Sequence, residues 1–149
     1  MKRKIISLPP NYFYAFIIFI VAVYFLFPYL NIIIFPYNLI GLVIFTLGFY
    51  LMSWSWLRFK KHQTPESFKK STALVQDGPY KFSRNPMYLG MTLILLGLAV
   101  LFKNIIGLIA PFLFFLTMHF MFIPFEEEKN EKELGEKYID YKKKARRWI

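Results

Sequence analysis

Gly41-Leu42-Val43-Ile44-Phe45-Thr46-Leu47-Gly48-Phe49-Tyr50-Leu51-Met52-Ser53-Trp54-Ser55-Trp56-Leu57 carries no charge, and it closes a longer tract in which no charged residue occurs between Lys4 and Arg58. Crossing a hydrocarbon core about 30 Å thick takes roughly 20 apolar residues, so that tract has room for two crossings. A second tract, from Arg84 to Glu126, holds Lys103 as its only charge and has room for two more. With hydrophobic residues at 56% and aromatics at 21% of 149 residues, the chain is too apolar for an ordinary soluble domain. The expected fold is all-α: a polytopic membrane protein with about four transmembrane helices, a cytoplasmic loop between the second and third, and a C-terminal amphipathic helix.

Proline and asparagine divide the tracts. Pro28 and Pro36, with Asn31 and Asn38, interrupt the first, because proline lacks a backbone donor and clashes with the preceding turn. One helix is expected from about Asn11 to Phe27 and another from about Asn38 to Leu57. Lys103-Asn104 breaks the second tract into helices from about Pro86 to Phe102 and from about Ile105 to Phe125. The first and third are short for a full crossing, which local thinning of the bilayer accommodates. This reading makes residues 1–149 a single membrane domain: a scaffold hairpin (1–57), a loop (58–85), a second hairpin (86–125) and a tail helix (126–149).

Lysine and arginine set the expected orientation. Lys2, Arg3 and Lys4 precede the first helix; Arg58, Lys60, Lys61, Lys69, Lys70, Lys81 and Arg84 lie in the middle loop; eight more follow Phe125. Four crossings bring all three segments to one side, the cytoplasmic one, so both termini are expected there. The net charge of +10 then reflects topology and attraction to anionic headgroups, and no nucleic-acid partner is expected. Lys2-Arg3-Lys4 before an apolar run fits the start of a secretory leader. The run ends in Phe27-Pro28-Tyr29-Leu30 without a small-residue cleavage site, and reads as a first anchor helix. The chain has no cysteine, which excludes disulfides and thiolate chemistry, and no metal site is expected. Neither a Gly-x-Gly-x-x-Gly nor a Walker-type loop is present.

The two hairpins differ in kind. Gly41 and Gly48 share one helix face, and small residues let helix backbones approach in a membrane, so the first hairpin reads as a packing scaffold with Tyr50, Trp54 and Trp56 as an interfacial belt. The loop contains a turn or helix start at Thr64-Pro65-Glu66, a short extended piece at Ser71-Thr72-Ala73-Leu74-Val75, and a strong turn at Asp77-Gly78-Pro79. In the tail, Leu134, Tyr138, Tyr141, Ala145 and Trp148 recur at spacings of four and three. That stripe, basic on its other sides, suits docking on the membrane surface or against the loop.

Two polar clusters sit at the lips of the second hairpin. Gly78-Pro79-Tyr80-Lys81-Phe82-Ser83-Arg84-Asn85-Pro86-Met87-Tyr88-Leu89-Gly90 combines a turn, cations and aromatics with a proline suited to the first helical position. Asn85 fits a plain N-cap and Arg84 a headgroup anchor; alternatively, Arg84 grips an anionic group through paired hydrogen bonds, with Tyr80 and Tyr88 as walls. Glu126-Glu127-Glu128 follows Pro124, expected to kink the helix as it leaves the membrane. Acids at a helix C-terminus oppose its dipole, whereas at the start of a new helix they are favourable. His119, one heptad earlier, is either a functional intramembrane histidine or a hydrogen-bonded packing residue.

Gly78-Pro79-Tyr80…Arg84-Asn85-Pro86-Met87-Tyr88-Leu89-Gly90 with Glu126-Glu127…Leu134-Gly135…Tyr138…Tyr141…Arg147 resembles the isoprenylcysteine carboxyl methyltransferase and phospholipid methyltransferase family, over roughly Leu74 to the C-terminus. The resemblance implies an integral membrane enzyme that uses S-adenosylmethionine without a Rossmann domain. It implies a cofactor pocket lined by Leu74, Val75, Gly78, Tyr80, Asn85, Tyr88 and Glu127, with Arg84, Glu126 and Arg147 near the reacting centre. Asn85 stands where the family often has histidine, and Asn130 where it often has a small apolar residue.

Methyl transfer from a sulfonium is an in-line displacement that depends on alignment, and aromatic faces and carboxylates favour the cation. The tail helix with Trp148 is a candidate lid. The acceptor, lipid-borne or small and apolar, is left open among a carboxylate held by Arg84, an amine deprotonated by Glu126 or Glu127, and a thiol. Three other readings stand beside this one: a small four-helix transporter, a nicotinamide-dependent membrane reductase of related architecture, and a structural subunit. The absence of ionisable groups from Ile5 to Leu57 argues against a transporter.

Overall fold

The computed structural model describes residues 8–62 and 74–149. The basic N-terminal Lys2-Arg3-Lys4, the Thr64-Pro65-Glu66 turn, Lys69 and Lys70, and the Ser71–Ala73 part of the extended piece lie outside them. Six α-helices follow in order: α1 (Pro9–Leu26), α2 (Ile40–Lys61), α3 (Pro86–Leu101), α4 (Ile109–Thr117), α5 (Ile123–Leu134) and α6 (Glu136–Lys144). Among the described residues no strand forms; backbone pairing outside the helices is limited to isolated bridges at Asn31–Asn104 and Ser83–Arg146. Three helical stretches are long and apolar enough to cross a membrane, Pro9–Leu26, Tyr37–Lys61 and Ile106–Leu134, and α3 is a shorter apolar helix. This is the anatomy of an integral membrane protein. The outer faces of α1, α2 and α4 expose Ile18, Phe25, Val43, Leu47 and Phe112, an apolar surface that a bilayer satisfies.

At 16 residues, or about 24 Å, α3 is short, yet it is the most buried helix. It runs antiparallel to α2 along a glycine seam. Gly41 faces Gly97, and Gly48 faces Gly90, so closely that a Cβ at Gly41 would lie 2.5 Å from the Gly97 carbonyl oxygen. A Cβ at Gly90 would lie 2.7 Å from the Met52 nitrogen. The seam extends one heptad further to Ser55, fully buried with its hydroxyl returned to the Leu51 carbonyl at 2.6 Å. The glycine face of the sequence is thus a backbone contact, and its partners on α3 are glycines at the same spacing.

On the other side of α3, α1 packs antiparallel to α4 through edge-to-face rings, Phe13 on Phe114 at 6.0 Å and Tyr12 on Phe122 at 5.4 Å. The end of the bundle remote from the two polar clusters is tied by Asn104. Its amide nitrogen donates to the carbonyls of Val23 (3.1 Å) and Phe27 (3.0 Å) and to Asn31 Oδ1 (2.9 Å), and its oxygen accepts from the Ile106 amide (3.0 Å). No solvent reaches it. Asn104→Ala is expected to destabilise the protein by about 1–3 kcal/mol, because those acceptors lose a buried donor; thermal unfolding in detergent measures it.

Helix boundaries differ from expectation where a local device overrides composition. The fourth apolar stretch does not stop at Phe125: α4 passes through a π-helical turn, Met118–Phe122, into α5, which runs on to Leu134. Pro124 follows immediately; its nitrogen cannot donate to the preceding turn, and the wider turn absorbs the misfit. The tail is two helices. Gly135, with φ of 59°, breaks it, so Leu134 ends α5 and only Tyr138 and Tyr141 of the stripe lie on α6. Ala145 is extended and Trp148 lies past the helix. Asn85 makes no N-cap with its side chain.

Candidate active site

The two polar clusters meet at one end of the bundle, joined by the C-terminal segment 145–149. After α6 the chain turns extended and pairs with the segment before α3: the Arg84 amide donates to the Arg146 carbonyl (2.8 Å), and the Arg146 amide to the Phe82 carbonyl (3.1 Å). The Asn85 side-chain nitrogen donates to the Arg147 carbonyl at 2.9 Å, tying the start of α3 to the C-terminal segment. Trp148 then reaches back to the π-helical turn, donating from Nε1 to His119 Nδ1 at 3.0 Å and packing at a tilt on Phe115 with centroids 4.5 Å apart. His119 therefore anchors the C-terminal segment from within the bundle.

Glu127 is the electrostatic centre, with 7% of its side chain exposed. Arg84 donates to its Oε1 from Nε (3.1 Å) and Nη2 (2.7 Å), and Arg147 donates to its Oε2 from Nη2 (2.6 Å). Lys142 Nζ stands 4.0 Å away. The other terminal nitrogen of Arg84 donates to the carbonyls of Lys142 (3.1 Å) and Ala145 (2.7 Å), capping the end of α6. Arg84 thereby ties the loop, α5, α6 and the C-terminal segment together.

Beside this charge cage lies a cavity of about 770 Å³, within the roughly 300–1,000 Å³ range of small-molecule pockets. Leu74, Val75, Tyr80, Asn85, Tyr88, Glu127, Arg84 and Glu126 all line it; Gly78 and Arg147 do not. Gly78 shapes the turn behind Tyr80, and Arg147 acts from outside through Glu127. Tyr88 donates to Glu126 Oε1 at 2.7 Å, setting a carboxylate and a phenol together on the wall. Burial raises the Tyr80 and Tyr141 phenols, and burial with the Glu127 carboxylate pushes Tyr138 up to about 12, so all three remain neutral. Tyr141 uses its proton to bond the Tyr80 carbonyl at 2.7 Å.

Part of the wall comes from residues that the sequence assigns to the scaffold. Pro10, Phe13 and Tyr14 of α1 and Phe49, Met52 and Trp56 of α2, with Phe59 from the expected loop, close the cavity on its apolar side. Lys129, Asn130, Leu134 and Tyr138 complete the polar side. The crowding of aromatics around Trp56 was a visible signal that an interfacial belt explained equally well.

These walls suit S-adenosylmethionine. The faces of Tyr80 and Tyr88 would receive a sulfonium, and Leu74 and Val75 an apolar ring. A family model described as phospholipid methyltransferase matches residues 37–137, from the approach to α2 into the start of α6. No curated protein matches the chain.

Proposed function

The chain belongs to the phospholipid methyltransferase family, whose enzymes are S-adenosylmethionine-dependent methyltransferases, and from that premise we propose that it methylates the amine headgroup of a membrane-borne phospholipid. The observation that carries this is the two-faced cavity: an acidic, phenolic head at the bundle end and an apolar wall between α1 and α2. A phospholipid fits that division with its headgroup at Glu126 and its acyl chains left in the bilayer. A carboxylate acceptor would need a cationic anchor, and both Arg84 and Arg147 are engaged by Glu127.

S-adenosylmethionine, the donor, supplies an electrophilic methyl group on sulfur. The residues of the chain do the rest. Glu126, oriented by the Tyr88 hydroxyl, takes the proton from the acceptor ammonium and frees its lone pair. The freed nitrogen would then accept the methyl group in line as the carbon–sulfur bond breaks, the positive charge passing from sulfur to the methylated ammonium. With the donor bound, Tyr80 and Tyr88 would flank the sulfonium and Leu74 and Val75 would face the adenine, while Glu127 with its two arginines holds the segment before α3 to the C-terminal segment beside the site.

In the membrane, α1, α2, α3 and the α4–α5 stretch make four crossings of a single domain. The site end faces the cytoplasm, with the basic segments, the middle loop and both termini. The soluble donor then arrives from the cytoplasm and the lipid from the side.

Glu126→Gln tests the assignment. It is expected to lower kcat for an ethanolamine phospholipid by about 10²-fold or more, the usual contribution of a positioned base. Donor affinity should change little, and the defect should shrink as rising pH deprotonates the amine in solution. Retention of full kcat in Glu126→Gln at neutral pH would remove Glu126 from the base role.

A further inference from the structure

Trp54 and Arg58 lie one turn apart on the last turns of α2, and His62, the residue that ends the helix, continues the same spacing of four. All three address the turn Gly78–Lys81. Arg58 Nη1 donates to Asp77 Oδ2 at 3.1 Å, and His62 Nε2 lies 3.0 Å from Asp77 Oδ1. Gly78 has a φ of 59°, and a Cβ on it would sit 3.1 Å from Arg58 Cγ and 3.3 Å from Trp54 Nε1. The turn therefore packs on the Arg58 and Trp54 side chains, and its left-handed φ at Gly78 favours glycine. Its first hydrogen bond runs from the Tyr80 amide to the Asp77 carbonyl at 3.2 Å, and α6 holds its far side through Tyr141.

We propose that Asp77 is a positioning residue for the methyl-donor site: clamped by Arg58 and His62, it fixes the turn that sets Tyr80 and Val75 on the cavity wall. This rests on the reading above that Tyr80 and Val75 face the donor. Asp77 does not line the cavity and is 37% exposed, so it acts through the turn. Burial alone would raise its carboxyl; the His62 hydrogen bond and the charges of His62 and Arg58 outweigh that and hold it below its ordinary value. An exposed ion pair contributes little to stability. Its leverage is geometric: the clamp sits next to Gly78, and small displacements of a ligand-binding wall weaken binding strongly.

The test uses full-length protein in detergent. S-adenosylhomocysteine is titrated calorimetrically, and steady-state transfer to an ethanolamine phospholipid is followed with varied S-adenosylmethionine. Asp77→Ala is expected to raise the Kd for S-adenosylhomocysteine and the KM for the donor about tenfold, with kcat changed less than about twofold and the unfolding midpoint unmoved. Asp77→Asn, which still accepts from Arg58, should recover most of the affinity. Asp140→Ala, which removes an exposed acid on α6, should behave as wild type. Arg58→Gln loses the cationic half of the clamp and should show the same KM-only effect, and it carries the test should Asp77→Ala not fold. Wild-type Kd and KM in Asp77→Ala, or losses that merely follow a lowered unfolding midpoint, would overturn the clamp alone. Wild-type protein that binds no S-adenosylhomocysteine would overturn the donor-site reading and the clamp with it.

Discussion

Glu127→Ala is expected to destabilise the protein by about 3–5 kcal/mol, the usual consequence of removing one partner from a buried ion pair. Arg84 is only 10% exposed and cannot turn to water. It would keep its bonds to the Lys142 and Ala145 carbonyls, but its Nε and Nη2 donors would be left without an acceptor. Arg147, 36% exposed, would swing out, leaving the C-terminal segment on its backbone pairing and its bonds to Asn85 and His119. Donor binding is expected to fall with it, since Glu127 itself lines the cavity. Removing both charges together, as Arg84→Met with Glu127→Leu, should restore part of the stability, because no uncompensated buried charge remains. Unfolding in detergent measures both variants. An unfolding midpoint for Glu127→Ala equal to wild type would show that the cage bears no weight.

Gly97→Leu is expected to abolish the folded protein. A helical glycine replaced by alanine normally gains about 0.5–1 kcal/mol from the stiffer backbone. Here the sign reverses even for alanine, because a Cβ at Gly97 would lie 2.6 Å from the Gly41 carbonyl oxygen and 2.7 Å from the Phe45 Cα. Those are backbone atoms with nowhere to go, so α2 and α3 must separate along their length. Overpacking commonly costs about 1–3 kcal/mol, and leucine brings several times the volume of alanine. Apolar side chains drawn apart in a membrane gain no burial from rejoining, so close packing is what holds the seam. Monodisperse yield and thermal unfolding of Gly97→Ala and Gly97→Leu provide the measurement. A Gly97→Ala variant more stable than wild type would contradict the seam.

Charge spacing made the membrane helices legible, because two nearly uncharged tracts can hold little else. Gly41 and Gly48 showed a packing face, but a sequence does not say what a glycine faces; Gly90 and Gly97 at the matching interval were the available clue. The meeting of Arg84 with Glu127 followed from two clusters at neighbouring lips. Which donor meets which acceptor did not follow: Arg84 read either as a headgroup anchor or as a grip on an anionic group, and its donors meet the Glu127 carboxylate and two carbonyls of the same chain. Gly135 inside the tail pattern is an ordinary helix-stop signal, outweighed by a periodic stripe that continues past it. The π-helical turn at Met118–Phe122 follows from how Pro124 is accommodated in three dimensions. The apolar half of the cavity was hidden because residues lining a pocket and residues facing lipid have the same composition.

The central claim is that a membrane lipid amine receives the methyl group. The direct measurement is transfer of labelled methyl from S-adenosylmethionine to ethanolamine phospholipid, with wild-type protein and Glu126→Gln in nanodiscs. The account predicts label in the lipid headgroup with wild type and its near loss in Glu126→Gln at undiminished donor affinity. Wild-type protein that binds the donor yet leaves the amine lipid unlabelled, or labels another acceptor instead, would contradict it.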